Sequence, residues 1–460
     1  MLNWNKIKEK INKSNVRWIR LQFCNPFGLI HQLSIPAQEM TKESFVDGFP
    51  LDGSSILGFT EIDKSDIILI PDPSTFVILP DYFDSCESDE KNPYISKSAR
   101  MFANIYQGFD GGRYSRDSRY ISEKAEHFAR KNGFSKSYWA VEIEFFIFDK
   151  INLSEQKNPQ IISKEAPWSS QNLEDVIQLK RGYYRDSPSD TLTNFRDEVC
   201  DVLNTFGIKT KAHHHEVATA GQSEIVLSPT SLTKMADTFI TGVKTIREVA
   251  SKRRMIASFN PKPMPNDNGS AAHINQSLWK TKNNKEYNAF YDPSDKYAEL
   301  SQTAYYYIGG LLEHARSLCA ITNPTTQSYK RLVPGYEAPT NIAWGRMNRS
   351  VSVRVPAYNK KTPQTKRIEY RPPDPTSNIY LVETAILLAG LDGIKNKIQP
   401  PDSVDANTYK LSDREMNKLS IKKLPTSLKE AISAINSDNE FLKPVIDEDF
   451  LEMYLDNLIK

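Results

Sequence analysis

Glu142-Ile143-Glu144 lies inside an apolar run, and buried carboxylates are costly unless something positive neutralises them. Further along stand His213-His214-His215-Glu216, Glu224, Asn268-Gly269-Ser270-Ala271-Ala272-His273 and Ile368-Glu369-Tyr370-Arg371. Five carboxylates and a histidine in such settings read as a cage for divalent metal. On one strand face Glu142 and Glu144 would stand about 6.5–7 Å apart, a separation suited to two ions in one site. Oxygen-rich ligation with a single histidine favours hard cations, Mg²⁺ or Mn²⁺, over zinc. Taken alone, the acidic pair reads as a sheet edge and the triple histidine as a solvated loop; together the motifs favour a site.

Neither Gly-x-x-x-x-Gly-Lys-Ser/Thr nor a Gly-x-Gly-x-x-Gly leading into a helix is present, so any nucleotide is held in another way. Arg331, Arg349, Arg354 and Arg371 offer paired donors for phosphate or carboxylate.

The elements that must carry these groups are legible from periodicity. Residues 16–23 and 67–70 alternate as strands, with the turn former Asp52-Gly53-Ser54-Ser55 between them. On a strand over 142–148, Glu142, Glu144, Phe146 and Phe148 share one face. The stretch from Glu216 to Glu224 is hairpin-like. Helices are expected over 122–132, 191–206, 231–254, 297–318 and 380–397, and the last fifty residues read as helical with a break at Pro425. Residues 81–98 read as a crossing loop and 150–180 as an exposed polar excursion.

The composition, 39% hydrophobic and 25% charged, is that of a globular chain, and 460 residues predict more than one domain. A net charge of +2 gives no global pull toward nucleic acid or an acidic membrane. Four scattered cysteines suit a reducing compartment, and neither a signal peptide nor a membrane span is found. The expectation is a cytoplasmic protein.

Six motifs in order resemble bacterial and archaeal type I glutamine synthetases of the short, alpha-like form. They are Asp52-Gly-Ser-Ser-Ile56, Glu142-x-Glu144-Phe-Phe, His214-His-Glu216 through Glu224, Asn268-Gly-Ser-x-x-His273, Ser328 through Glu337-Ala-Pro, and Arg367-Ile-Glu369-Tyr-Arg371. The resemblance implies an α+β chain: an N-terminal β-grasp domain over residues 1–100 and a catalytic domain over 101–460, whose curved antiparallel sheet is flanked by helices. It also implies a homododecamer of two hexameric rings with active sites between subunits.

What it implies for the site is ATP-dependent ligation of ammonia to L-glutamate through γ-glutamyl phosphate. Glu144, Glu216 and Glu224 would hold one metal, and Glu142, His273 and Glu369 the other. Arg331, Arg349, Arg371, Asn268 and Gly269 would clamp glutamate, with Arg349 also catalytic, and Arg354, Asn275 and Ser277 would contact ATP. Asp52 of a neighbouring subunit would bind ammonium and take its proton, with Tyr183 beside it. Glu337 would close over the site on the Pro334-Gly335-Tyr336 loop.

The chain departs from the pattern at Asn275, where a histidine is usual, and at Lys211, Ala271-Ala272 and Arg371-Pro372-Pro373-Asp374. These changes lie beside the substrate pockets and keep two further readings open: a γ-glutamyl-amine ligase of the same fold, and a weakly active regulatory paralogue. Tyr409 matches the position that some members modify, and reads here as a surface tyrosine.

Overall fold

The computed structural model describes residues 4–80, 97–108, 111–152, 160–166 and 177–459, so most of the expected 81–98 loop lies outside the described residues. An opening helix, Trp4–Lys13, buries Ile7 and Ile11 against a sheet. That sheet comprises β1 (Trp18–Cys24), β2 (Ile30–Pro36), β3 (Phe49–Asp52), β4 (Asp66–Pro71), β5 (Val77–Ile78) and β6 (Ser98–Gln107). Its order is β2-β1-β6-β4-β3, with β5 on β6, and β1–β6 is its parallel pair. Alternation sends Ile19, Leu21 and Phe23 into the core beneath it.

The second sheet is built on β7 (Lys136–Phe148), beyond which β8 (Lys150–Asn152) and β9 (Gln160–Ile162) form a separate ribbon. The next strands are β10 (Thr210–His215), β11 (Gln222–Leu227), β12 (Ile256–Ser258), β13 (Ala272–Lys282) and β14 (Lys285–Asn288). They are followed by β15 (Asn341–Ile342), β16 (Trp344–Arg346), β17 (Val353–Val355) and β18 (Ile368–Tyr370), while β19 (Lys422–Lys423) pairs β15. The order is β10-β11-β7-β13-β18-β17-β16, antiparallel except between β16 and β17.

One face of this curled sheet is apolar. Val141, Ile143, Phe145, Ile225, Ile274, Ile368 and Tyr370 pack with helices Ser118–Lys131, Thr193–Thr205, Leu232–Lys252, Gln302–Glu313 and Ile379–Asn396 in one core. Glycine brings the last two helices close: a Cβ at Gly310 would meet the Ala389 carbonyl oxygen at 2.1 Å.

The expected helix over 297–318 is instead two, Gln302–Glu313 and Ala315–Thr322. Asp295 accepts from the backbone of Ala298 and Leu300, holding 298–300 out of the helix, and Ser301 caps it. The break falls at His314, whose ring is drawn to Asp392 and Asp438. Within 150–180 the described part is not wholly exposed: Glu165, Ala166 and Ile177 are buried, and the Glu165 carboxylate bonds His215 and Thr191. The tail is helical over Asp413–Lys418, Leu428–Ser437 and Glu448–Ile459, with Pro425 between the first two.

Candidate active site

Strand register assembles the site on the other face of the second sheet. Glu224 of β11 pairs with His214 on one side and with Glu144 of β7 on the other. One pleat along, Glu142 pairs with His273 of β13. Asn275 of β13 then pairs with Glu369 of β18, and Glu369 with Arg354 of β17. Side chains of one parity on adjacent strands must share a face, so residues more than 220 positions apart in sequence meet.

Among the described residues three triads place one ligand atom each within 4.8 Å of one another: Glu142–His273–Glu369, Glu144–Glu224–His273 and His214–Glu216–Glu224. His273 Nδ1 lies 3.2 Å from Glu142 and 3.5 Å from Glu144, and His214 Nε2 lies 3.1 Å from Glu224. Backbone donors orient the acids: Ala271 N–H to Glu144 at 2.7 Å and Val217 N–H to Glu216 at 2.8 Å. The Asn275 amide donates to Glu142 at 3.0 Å and accepts from Arg367 at 2.9 Å.

Burial, then the charges of Glu144 and Glu224, drives the Glu216 carboxyl well above its usual range. Burial, with Glu142, Glu144 and Glu369, does the same to Glu224. Burial also raises Glu144, against the pull of Arg331. Glu369 is the contrast: burial would raise it, but Arg371 and Arg354, both ion-paired to it, hold it low. The buried carboxylates on the side away from the arginines therefore raise one another and favour a cation among them.

A cavity of about 30 Å³ sits over this cluster, lined by Glu144, Glu216, Glu224, His273, Arg331 and Arg371 among others. Glu337 and Arg349 also line a neighbouring cleft of about 720 Å³ that reaches Tyr409. Arg331 donates to the Pro372 carbonyl at 2.7 Å, and Ala272 N–H to that of Pro373, so the unusual proline pair serves the site through its backbone oxygens. Glu337 adopts φ +58° beside Gly335 at +88°, a turn that projects it exposed over the cavity mouth.

Of the residues read from sequence, Glu142, Glu144, Glu216, Glu224, His273, Glu369, Asn275, Arg331, Arg354, Arg371, Asn268, Gly269, Glu337 and Arg349 come together. Tyr183 stands at the rim, its ring 5.3 Å from that of His214 and 5.9 Å from the Arg349 guanidinium. Ser277 shares the face but bonds the Trp279 indole. Asp52 lines neither cavity of its own chain; exposed at the end of β3, it is held below the usual carboxylate range by Ser54 and Ser55 hydrogen bonds. Tyr409 is half-buried, and its hydroxyl donates to the Ala338 carbonyl at 2.9 Å, so it touches the Glu337 loop. The triple histidine splits three ways: His213 to Asp197, His214 to the triads, His215 to Glu165. His214 and Arg367 stand in the sequence motifs without a role of their own, and Lys180 and Lys262 in none; alternation along β10 points to His214, while the others sit on loops without period.

The chain matches the glutamine synthetase β-grasp domain over residues 15–108 and the glutamine synthetase catalytic domain over 115–458. The chain belongs to the glutamine synthetase family. It is 46% identical to the glutamine synthetase of Sulfolobus acidocaldarius, over 99% of this chain and 94% of that one. With that of Aquifex aeolicus it shares 40% over 98% and 94%. The cryo-EM glutamine synthetase of Plasmodium falciparum superposes with a TM-score of 0.87 at 27% identity, covering 100% of this chain and 95% of the other. The glutamine synthetase family uses divalent metal, and the residues here fit one. Among the described residues His273 Nε2 is buried with no hydrogen-bond partner, and His273 shares two of the three triads with hard carboxylate oxygens.

Proposed function

We propose that this chain ligates ammonia to the γ-carboxylate of L-glutamate, with ATP converted to ADP and phosphate. The observation that carries this reading is the set of three carboxylate–histidine triads beside a cavity that Arg331, Arg349 and Arg371 line, with Arg354 ion-paired to Glu369. The relatives' names favour ammonia over an organic amine, and the intact ligand face speaks against a silent paralogue.

In this reading Arg331, Arg371 and the Asn268-Gly269 backbone hold glutamate, with Arg349 at the mouth drawing the γ-phosphoryl group toward the attacking γ-carboxylate. Arg354 and Asn275, with Ser277 beyond them, face the ATP phosphates. Mg²⁺ or Mn²⁺ held by Glu144, Glu216, Glu224 and by Glu142, His273, Glu369 would neutralise phosphate charge. The γ-carboxylate oxygen bonds to phosphorus as ADP leaves, giving an acyl phosphate; ammonia then bonds its acyl carbon, Cδ of the glutamyl group, as phosphate departs. Ammonium must lose a proton first, and an ionised Asp52 from a neighbouring copy, beside Tyr183, binds it and accepts that proton. Glu337 closes the mouth so that ammonia rather than water reaches the acyl phosphate.

The same reading assigns a homododecamer of two hexameric rings, a cytoplasmic setting, and a division near residue 100, with β6 completing the N-terminal sheet across that boundary. Among the described residues no helix is long and apolar enough to cross a membrane. The test is phosphate release from ATP, glutamate and Mg²⁺ with and without ammonium, with the product weighed by mass spectrometry. Ammonium-dependent phosphate with glutamine supports the reading; release that requires an added organic amine would replace it.

A further inference from the structure

In the loop Pro334-Gly335-Tyr336-Glu337 every residue is exposed except Tyr336, which is half-buried and lines the small cavity. The Nζ atoms of Lys180 and Lys262 lie 3.9 and 3.5 Å from the centre of its ring. Lys180 Nζ also donates to the Gly335 carbonyl at 3.0 Å. Both lysines are rooted at Asp267: the Lys180 backbone N–H donates to its carboxylate at 3.1 Å, and Lys262 Nζ donates to its carbonyl oxygen. The same carboxylate accepts from Asn268 N–H at 2.9 Å. The loop is therefore fastened through one aromatic ring to the segment that carries Asn268 and Gly269.

A ring under two ammonium groups gains cation–π attraction that an aliphatic side chain of like size does not have, and burial of Lys262 strengthens it. We propose that Tyr336 is a positioning residue whose ring, gripped by Lys180 and Lys262, latches the Glu337 loop over the acyl-phosphate site and so decides between ammonia and water as attacking group. This rests on the ligase reading above. When the latch slips, a water oxygen bonds the acyl carbon, Cδ of the glutamyl group, the carbon–oxygen bond to phosphate breaks, and glutamate and phosphate leave with no glutamine formed.

The experiment measures phosphate released per glutamine formed, at saturating ammonium, in the assembled wild type and in Tyr336→Phe, Tyr336→Leu and Lys180→Met. The wild type is expected close to one to one with a small excess of phosphate, and Tyr336→Phe, which keeps a ring, matches it. Lys180→Met is expected to enlarge that excess about threefold, the scale of one lost cation–π contact, and Tyr336→Leu, which loses both contacts, to enlarge it further. A simple packing defect would lower turnover without moving this ratio. If Tyr336→Leu does not assemble, exposed Lys180→Met decides alone. Variants whose phosphate excess equals that of the wild type overturn the latch, whereas a wild type that makes no glutamine overturns the ligase reading instead.

Discussion

Glu224 and Glu144 stand directly opposite each other on adjacent antiparallel strands, two carboxylates where cross-strand neighbours normally attract. Both are raised by burial and by acidic neighbours, so their repulsion is relieved by a proton or by a cation.

Replacing Glu224 by Gln removes that repulsion and one ligand together. The variant melts higher than wild type in EDTA, by about 1 kcal/mol of stability. It also loses most of the stabilisation that Mn²⁺ gives the wild type. Calorimetric melts with and without metal check both signs, and a variant less stable than wild type in EDTA contradicts the account.

The Asn275 amide bridges Arg367 and Glu142, so the residue at this unusual position orients a ligand. Asn275→Leu is expected to weaken Mn²⁺ binding roughly tenfold, as loss of a partner behind a ligand commonly does, and to raise KM for ATP. Titration of Mn²⁺ followed by electron paramagnetic resonance reads the first without any turnover.

Among the described residues the Asp52 carboxylate bonds only Ser54 and Ser55 of its own turn, so Asp52→Ala should cost activity on the order of 10²- to 10⁴-fold while leaving the melting temperature within about a degree. Copies carrying Asp52→Ala mixed and reassembled with copies carrying Glu369→Gln should regain activity, since some junctions pair an intact Asp52 with an intact Glu369. Mixtures as inactive as their parents would place Asp52 outside a shared site.

His314 gives a pH dependence remote from the chemistry. Burial would lower its pKa, but Asp438 and Asp392 raise it above the ordinary histidine value. A pKa raised on folding stabilises fully below the unfolded value, about 6.5, and its contribution is lost as pH rises through the folded value. Asp438, held low by His314 against burial, contributes above about pH 4 and loses its share as pH falls further. The stability difference between wild type and Asp438→Asn should be largest near pH ~5.5 and shrink above pH ~8. It is worth about 1 kcal/mol at most after screening at the part-exposed Asp438. Urea unfolding across that range checks the sign.

The strand carrying Glu142 and Glu144 was legible because period-2 alternation forces their shared face, and the same logic exposed Glu369 and Arg371. Apolar periodicity runs through His314 and predicts one helix over 297–318, while the break there is made by carboxylates 78 and 124 residues away in sequence. Lys180 and Lys262 were invisible for a similar reason: nothing local distinguishes a lysine that ends over a tyrosine ring from one in solvent. Asp52 was found by resemblance alone, and its own chain gives it no place in the cluster.

The two faces of β7 carry a last consequence. Sliding this strand by one residue would turn Glu142 and Glu144 into the apolar core and set Val141, Ile143 and Phe145 among the ligands. A copy in the wrong register therefore fails at packing before it can fail at chemistry. The sheet acts as its own proofreader: a chain that completes this core has, by the same step, aligned its metal-binding face.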